Sequence, residues 1–244
     1  MAKNAKKSSK ISMLKIDLHL HAKEDKVDSI SYSAKQLIDK AKKLNFDALA
    51  FTFHKNFFWS KKINSYAKKK GIILIHGAKL RKKGKDVLVY NIKKHEISKI
   101  KTLNDLRILK KENKDIFVIA PHPFFKTSEC LGKKLEKNID IFDAIEYSWF
   151  FSNVLNLNKK AIKISKKYNK PLIATSDCHK IEYFGKNYCL IKSKRDIKSI
   201  FQSIKENKIV NHSNPISLFS FMANTIRIIA EPIFKQKTKN NKYT

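Results

Sequence analysis

The residues with the most evident chemistry form the stretch KIDLHLH, residues 15–21. Successive side chains of a β-strand point to opposite faces, so Asp17, His19 and His21 would share one face. A carboxylate and two imidazoles side by side could hold a metal ion. The opposite face would carry three aliphatic residues that we expect to pack against surrounding helices: Ile16, Leu18 and Leu20.

Other histidines and aspartates also follow apolar runs of the chain. His54 ends FDALAFTFH, His122 follows IFVIAP, and Asp177 and His179 follow PLIATS. The carboxyl ends of parallel strands line one common edge of an α/β fold, so four strands would deliver these side chains to the same rim. Imidazole and carboxylate groups suit zinc, manganese or iron. The sequence therefore predicts a metal site.

The elements that would position these residues alternate along the chain. Predicted strands are Met13–Leu18, Phe46–Thr52, Ile72–His76, Val87–Ile92, Ile116–Ala120, Ala144–Tyr147, Leu172–Thr175 and Tyr188–Ile191. Predicted helices are Ser33–Leu44, Lys61–Lys70, Leu103–Asn113, Asn156–Tyr168 and Lys194–Glu206. Strand–helix alternation over this length is typical of a parallel α/β fold, either an open sheet or a barrel.

Length and composition narrow the protein class. At 244 residues, 42% of them hydrophobic, the chain can bury the core of one α/β domain. Its three scattered cysteines are too few for a disulfide framework or a zinc ribbon. We find no apolar run of signal-peptide or membrane-span length. We therefore expect a cytoplasmic protein without an integral membrane segment.

The charge is extreme, with 53 basic against 21 acidic residues and a net charge of +32. One interpretation is a protein that binds nucleic acid or another polyanion. The other is a compositional bias towards lysine, which the scarcity of arginine favours: only four basic residues are arginine. Sites that recognise phosphates or bases favour the bidentate arginine fork. Non-specific attraction to polyanions follows from the charge under both interpretations.

Four motifs together resemble a known family. They are Asp-x-His-x-His at 17–21, Thr-x-His at 52–54, Pro-His-Pro at 121–123 and Ser-Asp-x-His at 176–179. In this order they resemble the PHP domain of the polymerase and histidinol phosphatase family, over about residues 13–210. The resemblance implies a distorted (β/α)7 TIM-like barrel with up to three metal ions at the C-terminal mouth of the strands. It also implies hydrolysis of phosphate monoesters or phosphodiesters.

The expected domain organisation follows from this resemblance and from composition. We expect a disordered basic tail over 1–12 and the PHP barrel over 13–213. An amphipathic helix over 214–234 should pack on the barrel, and 235–244 should be a second disordered tail.

The resemblance also implies three sets of metal ligands. The first set is His19, His21 and Asp177; the second is His122 with Asp86; the third is His54 with His179, with Asp25 or Asp28 only as helpers. Asp17 would orient ligands without touching an ion. Glu146, which ends a predicted strand on the same rim, would either orient a ligand imidazole in this way or be a solvated carboxylate. Since the first set alone keeps three ligands, we expect one well-occupied divalent ion, zinc or manganese, with iron as a further option.

Lys79 departs from the family pattern, because a glutamate that bridges two metals is expected at its position in HGAKL. Three interpretations stay open. Lys79 replaces the charge of one cation and holds a substrate phosphate. Alternatively, the site is degenerate and inactive. In the third interpretation the Lys79 side chain swings out to solvent.

The leading functional hypothesis is a metal-dependent phosphoesterase in which a metal-bound water attacks phosphorus. His54 and His179 are candidates for moving a proton. The substrate would be a phosphorylated small molecule, a nucleotide or an oligonucleotide, with non-specific nucleic-acid binding besides. The alternative is a catalytically degenerate PHP barrel that acts as a metal- or polyanion-binding module.

Overall fold

A computed structural model describes residues 10–54, 57–125 and 127–226. Its strands are β1 Ser12–Leu20, β2 Ala48–Phe51, β3 Ile73–Lys82, β4 Lys85–Tyr90, β5 Phe117–Ala120, β6 Ala144–Ser148, β7 Leu172–Thr175, β8 Asn187–Ser193 and β9 Ile209–Ser213. Its helices are α1 Ala34–Lys43, α2 Lys61–Lys69, α3 Lys94–Lys99, α4 Leu103–Glu112, α5 Lys134–Lys137, α6 Lys159–Lys167, α7 Ile197–Lys205 and α8, residues 218–226. All the predicted strands and helices are present, with bounds shifted by a few residues; β9, α3 and α5 were not predicted.

The strands form one sheet in the order β7-β6-β5-β4-β3-β2-β1-β8-β9. The β1–β2, β2–β3, β5–β6 and β6–β7 pairs are parallel. The β3–β4, β4–β5, β1–β8 and β8–β9 pairs are antiparallel. A bridge between Leu20 and Cys178 brings the end of β7 back to β1, so the sheet nearly closes. This mixed, barrel-like sheet confirms the expected α/β fold and the distorted barrel.

Asn211 of β9 links the two ends of the sheet. Its Oδ1 accepts the backbone N–H of Ala174 at 2.7 Å, and its Nδ2 donates to the carbonyl of Leu172, also at 2.7 Å. Both partners belong to β7, which has no strand ladder on this side. One side chain therefore satisfies two backbone groups that a neighbouring strand would otherwise pair.

The centre of the fold is filled from every strand between β1 and β8, and by α7. Phe201 of α7 stacks on Phe117 of β5 with ring centroids 4.3 Å apart. Tyr90 lies in the same cluster, and its hydroxyl donates to the carbonyl of Leu18 at 2.6 Å. A Cβ at Gly77 would come within 2.8 Å of the Tyr90 ring, so only glycine lets this ring cross β3.

The alternation expected along β1 fails near its end. Ile16 and Leu18 belong to the central cluster, whereas Leu20 packs with residues of α1 and α2. The register of β1 against β2 shifts between Asp17 and Leu20. The expectation that all three aliphatic residues face the surrounding helices was therefore wrong, because this irregularity turns the strand just where the histidines begin.

The expected end segments fall largely outside the described residues. Residues 1–9 and 227–244, which hold most of the two expected tails, are not described, and β1 begins at Ser12. Of the helix expected over 214–234, residues 218–226 are helical. Phe221 stacks on Phe150 at 4.5 Å, which is one contact of this helix with the barrel. Among the described helices, none has the length and apolar character to cross a membrane.

Replacement of Asn211 by alanine should destabilise the protein. Two backbone hydrogen bonds are lost, and each contributes about 0.5–1.5 kcal/mol net, so the free energy of unfolding should fall by about 1–3 kcal/mol. Urea unfolding of metal-free protein would measure the change.

Val210→Ala is the matched control, because Val210 is an exposed residue of the same strand. We expect it to change the free energy of unfolding by less than about 0.5 kcal/mol. Equal stability of Asn211→Ala and Val210→Ala would contradict the closing role of Asn211.

Candidate metal centre

His19 and His21 are fully buried at the end of β1, and carboxylates fix their rings. His19 Nδ1 lies 3.2 Å from Glu146 Oε2, and His21 Nδ1 lies 2.9 Å from Asp25 Oδ2. Burial lowers the pKa of both imidazoles, so they are neutral at physiological pH. A neutral imidazole that donates from Nδ1 keeps the lone pair of Nε2 for a metal ion.

Glu146 connects three strand ends. Besides His19, this buried carboxylate accepts the backbone N–H of His122 at 2.9 Å and the hydroxyl of Thr175 at 2.6 Å. Glu146 follows two apolar residues at the start of β6, and this position led to the prediction that it orients a ligand. The contacts are those that such a role requires.

Asp17 does not reach an imidazole through the hydrogen bonds of the described residues. Its Oδ1 accepts the backbone N–H groups of His19 and Ser176, each at 3.2 Å. Burial raises its pKa to about 7. Asp17 thus ties β1 to the loop after β7, and it acts on the ligand positions through the backbone.

Three buried ligand atoms lack a hydrogen-bond partner among residues 10–54, 57–125 and 127–226: His19 Nε2, His21 Nε2 and Asp177 Oδ1. The Asp177 oxygen lies 3.0 Å from the first nitrogen and 3.2 Å from the second, but not in hydrogen-bond geometry. Unpaired buried lone pairs that face one another are unfavourable without a cation. Imidazole nitrogen and carboxylate oxygen are also the donors that zinc and manganese accept, so these residues fit a divalent metal ion.

Three overlapping groups of side chains could each hold an ion. They are His19 with His122 and Asp177; His21 with Asp177 and His179; and His21 with Asp25, Asp28 and His54. Asp177 joins the first two groups and His21 joins the last two. The predicted set His19, His21 and Asp177 meets around one carboxylate, but its two histidines fall into different groups.

Asp25 and Asp28, which were predicted from the sequence only as helpers, both belong to one of the possible metal-binding groups. Asp25 Oδ2 lies 2.9 Å from His54 Nδ1 and accepts the backbone N–H of His54 at 3.0 Å. Asp28 Oδ2 lies 3.2 Å from His54 Nδ1 and 3.1 Å from His179 Nε2. Lys26 is exposed, whereas the adjacent Asp25 turns inward.

Two of the candidate ligands have left-handed backbone conformations. The φ angle is +27° at His122 and +44° at Asp177. Such conformations cost non-glycine residues about 1–3 kcal/mol and persist where the surroundings impose them. Both residues directly follow strand ends, so this strain is located where the side chains turn into the site.

Lys79 lies inside the site. Its side chain is 5% exposed, and Nζ lies 3.8 Å from Asp177 Oδ1 and 3.9 Å from Asp86 Oδ2. Burial alone would lower its pKa, but the carboxylates of Asp177 and Asp86 raise it, so the ammonium keeps its charge. The interpretation in which Lys79 swings out to solvent was therefore wrong.

Asp86 is engaged by another residue. Arg81 Nε donates to Oδ1 at 2.7 Å and Nη2 donates to Oδ2 at 3.1 Å, which is a bidentate pair. Among the described residues, Asp86 belongs to none of the three metal-binding groups. The structure thus corrects the predicted pairing of Asp86 with His122 at an ion, since a carboxylate whose two oxygens are both held by one guanidinium is a poor ligand.

Comparison with family models gives two matches. The model described as PHP domain matches residues 17–180, which is well over half of the chain. The model described as PHP-associated matches residues 156–209. A search of curated proteins found no match.

Solved structures share the fold at low sequence identity. A two-domain protein from Bacteroides vulgatus, described as containing a predicted PHP-like metal-dependent phosphoesterase, is 19% identical with a TM-score of 0.64. The match covers 84% of this chain and 66% of the other, slightly under two thirds. PsfC from Pseudomonas syringae is 15% identical with a TM-score of 0.60, and 93% and 99% of the two chains are covered. Endonuclease Q, in complex with a 27-mer duplex, is 15% identical with a TM-score of 0.54, covering 80% and 56%.

Divalent metal should stabilise the protein through His21, which joins two of the three groups. Zinc or manganese at about 100 times the dissociation constant should add about 2.7 kcal/mol to the stability of metal-stripped wild type. In His21→Gln most of this gain should be lost. Thermal unfolding with and without metal would measure both values.

His95→Gln serves as the matched control, because His95 is an exposed histidine of α3. It should keep the full stabilisation by metal. A thermal midpoint that rises equally in wild type and His21→Gln would contradict the assignment of His21.

Proposed function

The chain belongs to the PHP domain family, and we propose that it is a metal-dependent phosphoesterase, acting on a phosphate monoester or on a nucleotide or oligonucleotide phosphodiester. The observation that carries this proposal is the convergence of His19, His21 and Asp177, whose three ligand atoms are buried and unpaired. Such a set is costly to keep in a folded protein unless it binds a cation.

We propose that the metal-binding groups differ in how well they hold an ion. The group of His21, Asp25, Asp28 and His54 offers four side chains and two carboxylates. The two groups that contain Asp177 have the Lys79 ammonium 3.8 Å from this shared carboxylate. A cation beside an ammonium is repelled, on the order of several kcal/mol at short range and intermediate dielectric, so these two positions should bind an ion more weakly.

A divalent ion, when bound, would supply a Lewis acid and lower the pKa of a coordinated water towards neutrality. The protein side chains then have distinct tasks. Glu146 and Asp25 fix imidazole orientation through Nδ1. His54 and His179, which are partly exposed at the rim, are the candidates for carrying a proton to the leaving group.

Lys79 is proposed to bind the substrate phosphate. Its ammonium makes no hydrogen bond with the described residues, because both neighbouring carboxylates lie beyond 3.5 Å. Its three N–H donors therefore remain available for phosphate oxygens. A buried ammonium that is fixed before the substrate arrives can stabilise negative charge that develops on phosphorus.

A second candidate function is supported by the same residue. A lysine at the position expected for a bridging glutamate removes a carboxylate ligand and adds a positive charge. Under this proposal the barrel is catalytically degenerate and acts as a metal- or polyanion-binding module.

Polyanion binding is compatible with both proposals. The net charge of +32 attracts nucleic acid without base recognition. One similar structure, endonuclease Q, is in complex with a DNA duplex. Binding of this kind should weaken steeply with salt, and it does not by itself indicate a substrate.

With manganese or zinc, wild type should hydrolyse p-nitrophenyl phosphate or bis(p-nitrophenyl) phosphate. Lys79→Met should lower kcat/KM by roughly 100-fold, because a preorganised donor to the phosphate is lost. Release of p-nitrophenol gives the rate directly.

Lys62→Met is the control, since Lys62 is exposed on α2, and its kcat/KM should equal that of wild type. The opposite pattern would establish the degenerate barrel: wild type without activity on either ester, and activity created by Lys79→Glu.

A further inference from the structure

A cavity of about 490 Å³ lies beside the candidate metal centre. One wall is formed by Trp149 and Ser176, which directly follow the ends of β6 and β7. These two strand ends also carry Glu146 and Asp177, and Ser176 is the chain neighbour of Asp177. The opposite wall comes from residues 214–217 and from α8. A volume of this size suits a small organic group.

The barrel side of the cavity is aromatic. The rings of Trp149 and Tyr183 are inclined by only 24°, with centroids 6.2 Å apart, and both line the cavity. The Lys186 ammonium lies over the Tyr183 ring, 4.9 Å from its centroid, so Trp149 is the aromatic residue on which another planar ring can stack.

The remaining lining is polar and carries no carboxylate among the described residues. Buried Asn187 accepts the Ser213 hydroxyl through Oδ1 at 2.6 Å, and its Nδ2 has no partner among these residues. Asn224 donates from Nδ2 to the carbonyl of Ser220, which leaves its Oδ1 as an acceptor. Lys186 and His212 are the basic groups of the lining.

From this combination we infer that the cavity binds a planar, uncharged heteroaromatic ring with both an acceptor and a donor at its edge. The ring would stack on Trp149, with its acceptor towards Asn187 Nδ2 and its donor towards Asn224 Oδ1. A cationic group would find no counter-charge here, and an alkyl chain would leave the amides unpaired. This step rests on the proposed function: the ring would be the alcohol part of the phosphate ester.

The test separates ring binding from catalysis. 4-Methylumbelliferone, a planar heterocycle without phosphate, should bind to wild type in equilibrium dialysis, with or without metal. In Trp149→Leu its affinity should fall about tenfold, since stacking on one aromatic residue contributes about that factor. Asn224→Phe fills the cavity from the opposite wall and should abolish binding. Trp59→Leu is the matched control, because Trp59 lies outside this cavity, and it should bind like wild type.

Kinetics then connect the cavity to the ester. For 4-methylumbelliferyl phosphate, Trp149→Leu should raise KM about tenfold with little change in kcat, whereas hydrolysis of glycerol 2-phosphate, which has no ring, should change less than twofold. Ring binding that depends on Trp149, together with no hydrolysis of these two monoesters or of bis(p-nitrophenyl) phosphate, would support the cavity and overturn the proposed function. Equal ring binding by wild type, Trp149→Leu and Asn224→Phe, or no ring binding by an active wild type, would overturn the cavity assignment.

Discussion

The site depends on one electrostatic constraint. Buried acceptor atoms with lone pairs converge on Asp177 and repel one another unless a positive charge lies between them. Two neutral imidazoles direct Nε2 at one carboxylate oxygen, and none of these atoms has a hydrogen-bond partner within the described part of the chain. Within a protein of net charge +32, six of the 21 acidic residues gather in or beside this cluster: Asp17, Asp25, Asp28, Asp86, Glu146 and Asp177. Carboxylates this close together are stable only with cations among them.

The backbone around the cluster is shaped to maintain this convergence. The register of β1 shifts between Asp17 and Leu20, and His122 and Asp177 adopt positive φ. Glu146 holds His19, the backbone of His122 and the hydroxyl of Thr175 together, so one carboxylate of β6 ties the ends of three other strands. The near closure of the sheet, through the Leu20–Cys178 bridge and the Asn211 side chain, brings β7 close enough for Asp177 to face β1.

The sequence was sufficient for the strands that carry the site, because buried parallel strands are continuous apolar runs followed directly by the polar residues. It was insufficient for β9, since IVNHS is short and mostly exposed, and its role depends on one asparagine side chain. Within the site, Asp25 was undervalued because the turn after Ala22 shifts the inward position by one residue. The Arg81–Asp86 pair depends on the β3–β4 register, which opposes these two residues across the hairpin. This hairpin was missed because the predicted third strand ended at His76, whereas β3 continues to Lys82.

Lys79 supplies part of the positive charge that a metal ion would otherwise bring to the site. A metal ion adds two charges and leaves with chelation or acid, whereas an ammonium adds one charge that is covalently attached to the fold. Arg81 neutralises Asp86 from one side, so Asp86 can face the ammonium at 3.9 Å without drawing it into a close pair. Asp177 faces it at 3.8 Å from the other side. The ammonium thus faces two carboxylates at ion-pair distance but makes no hydrogen bond with either of them. With respect to the described residues, its N–H donors are free for another acceptor, which is what the proposed binding of a substrate phosphate requires.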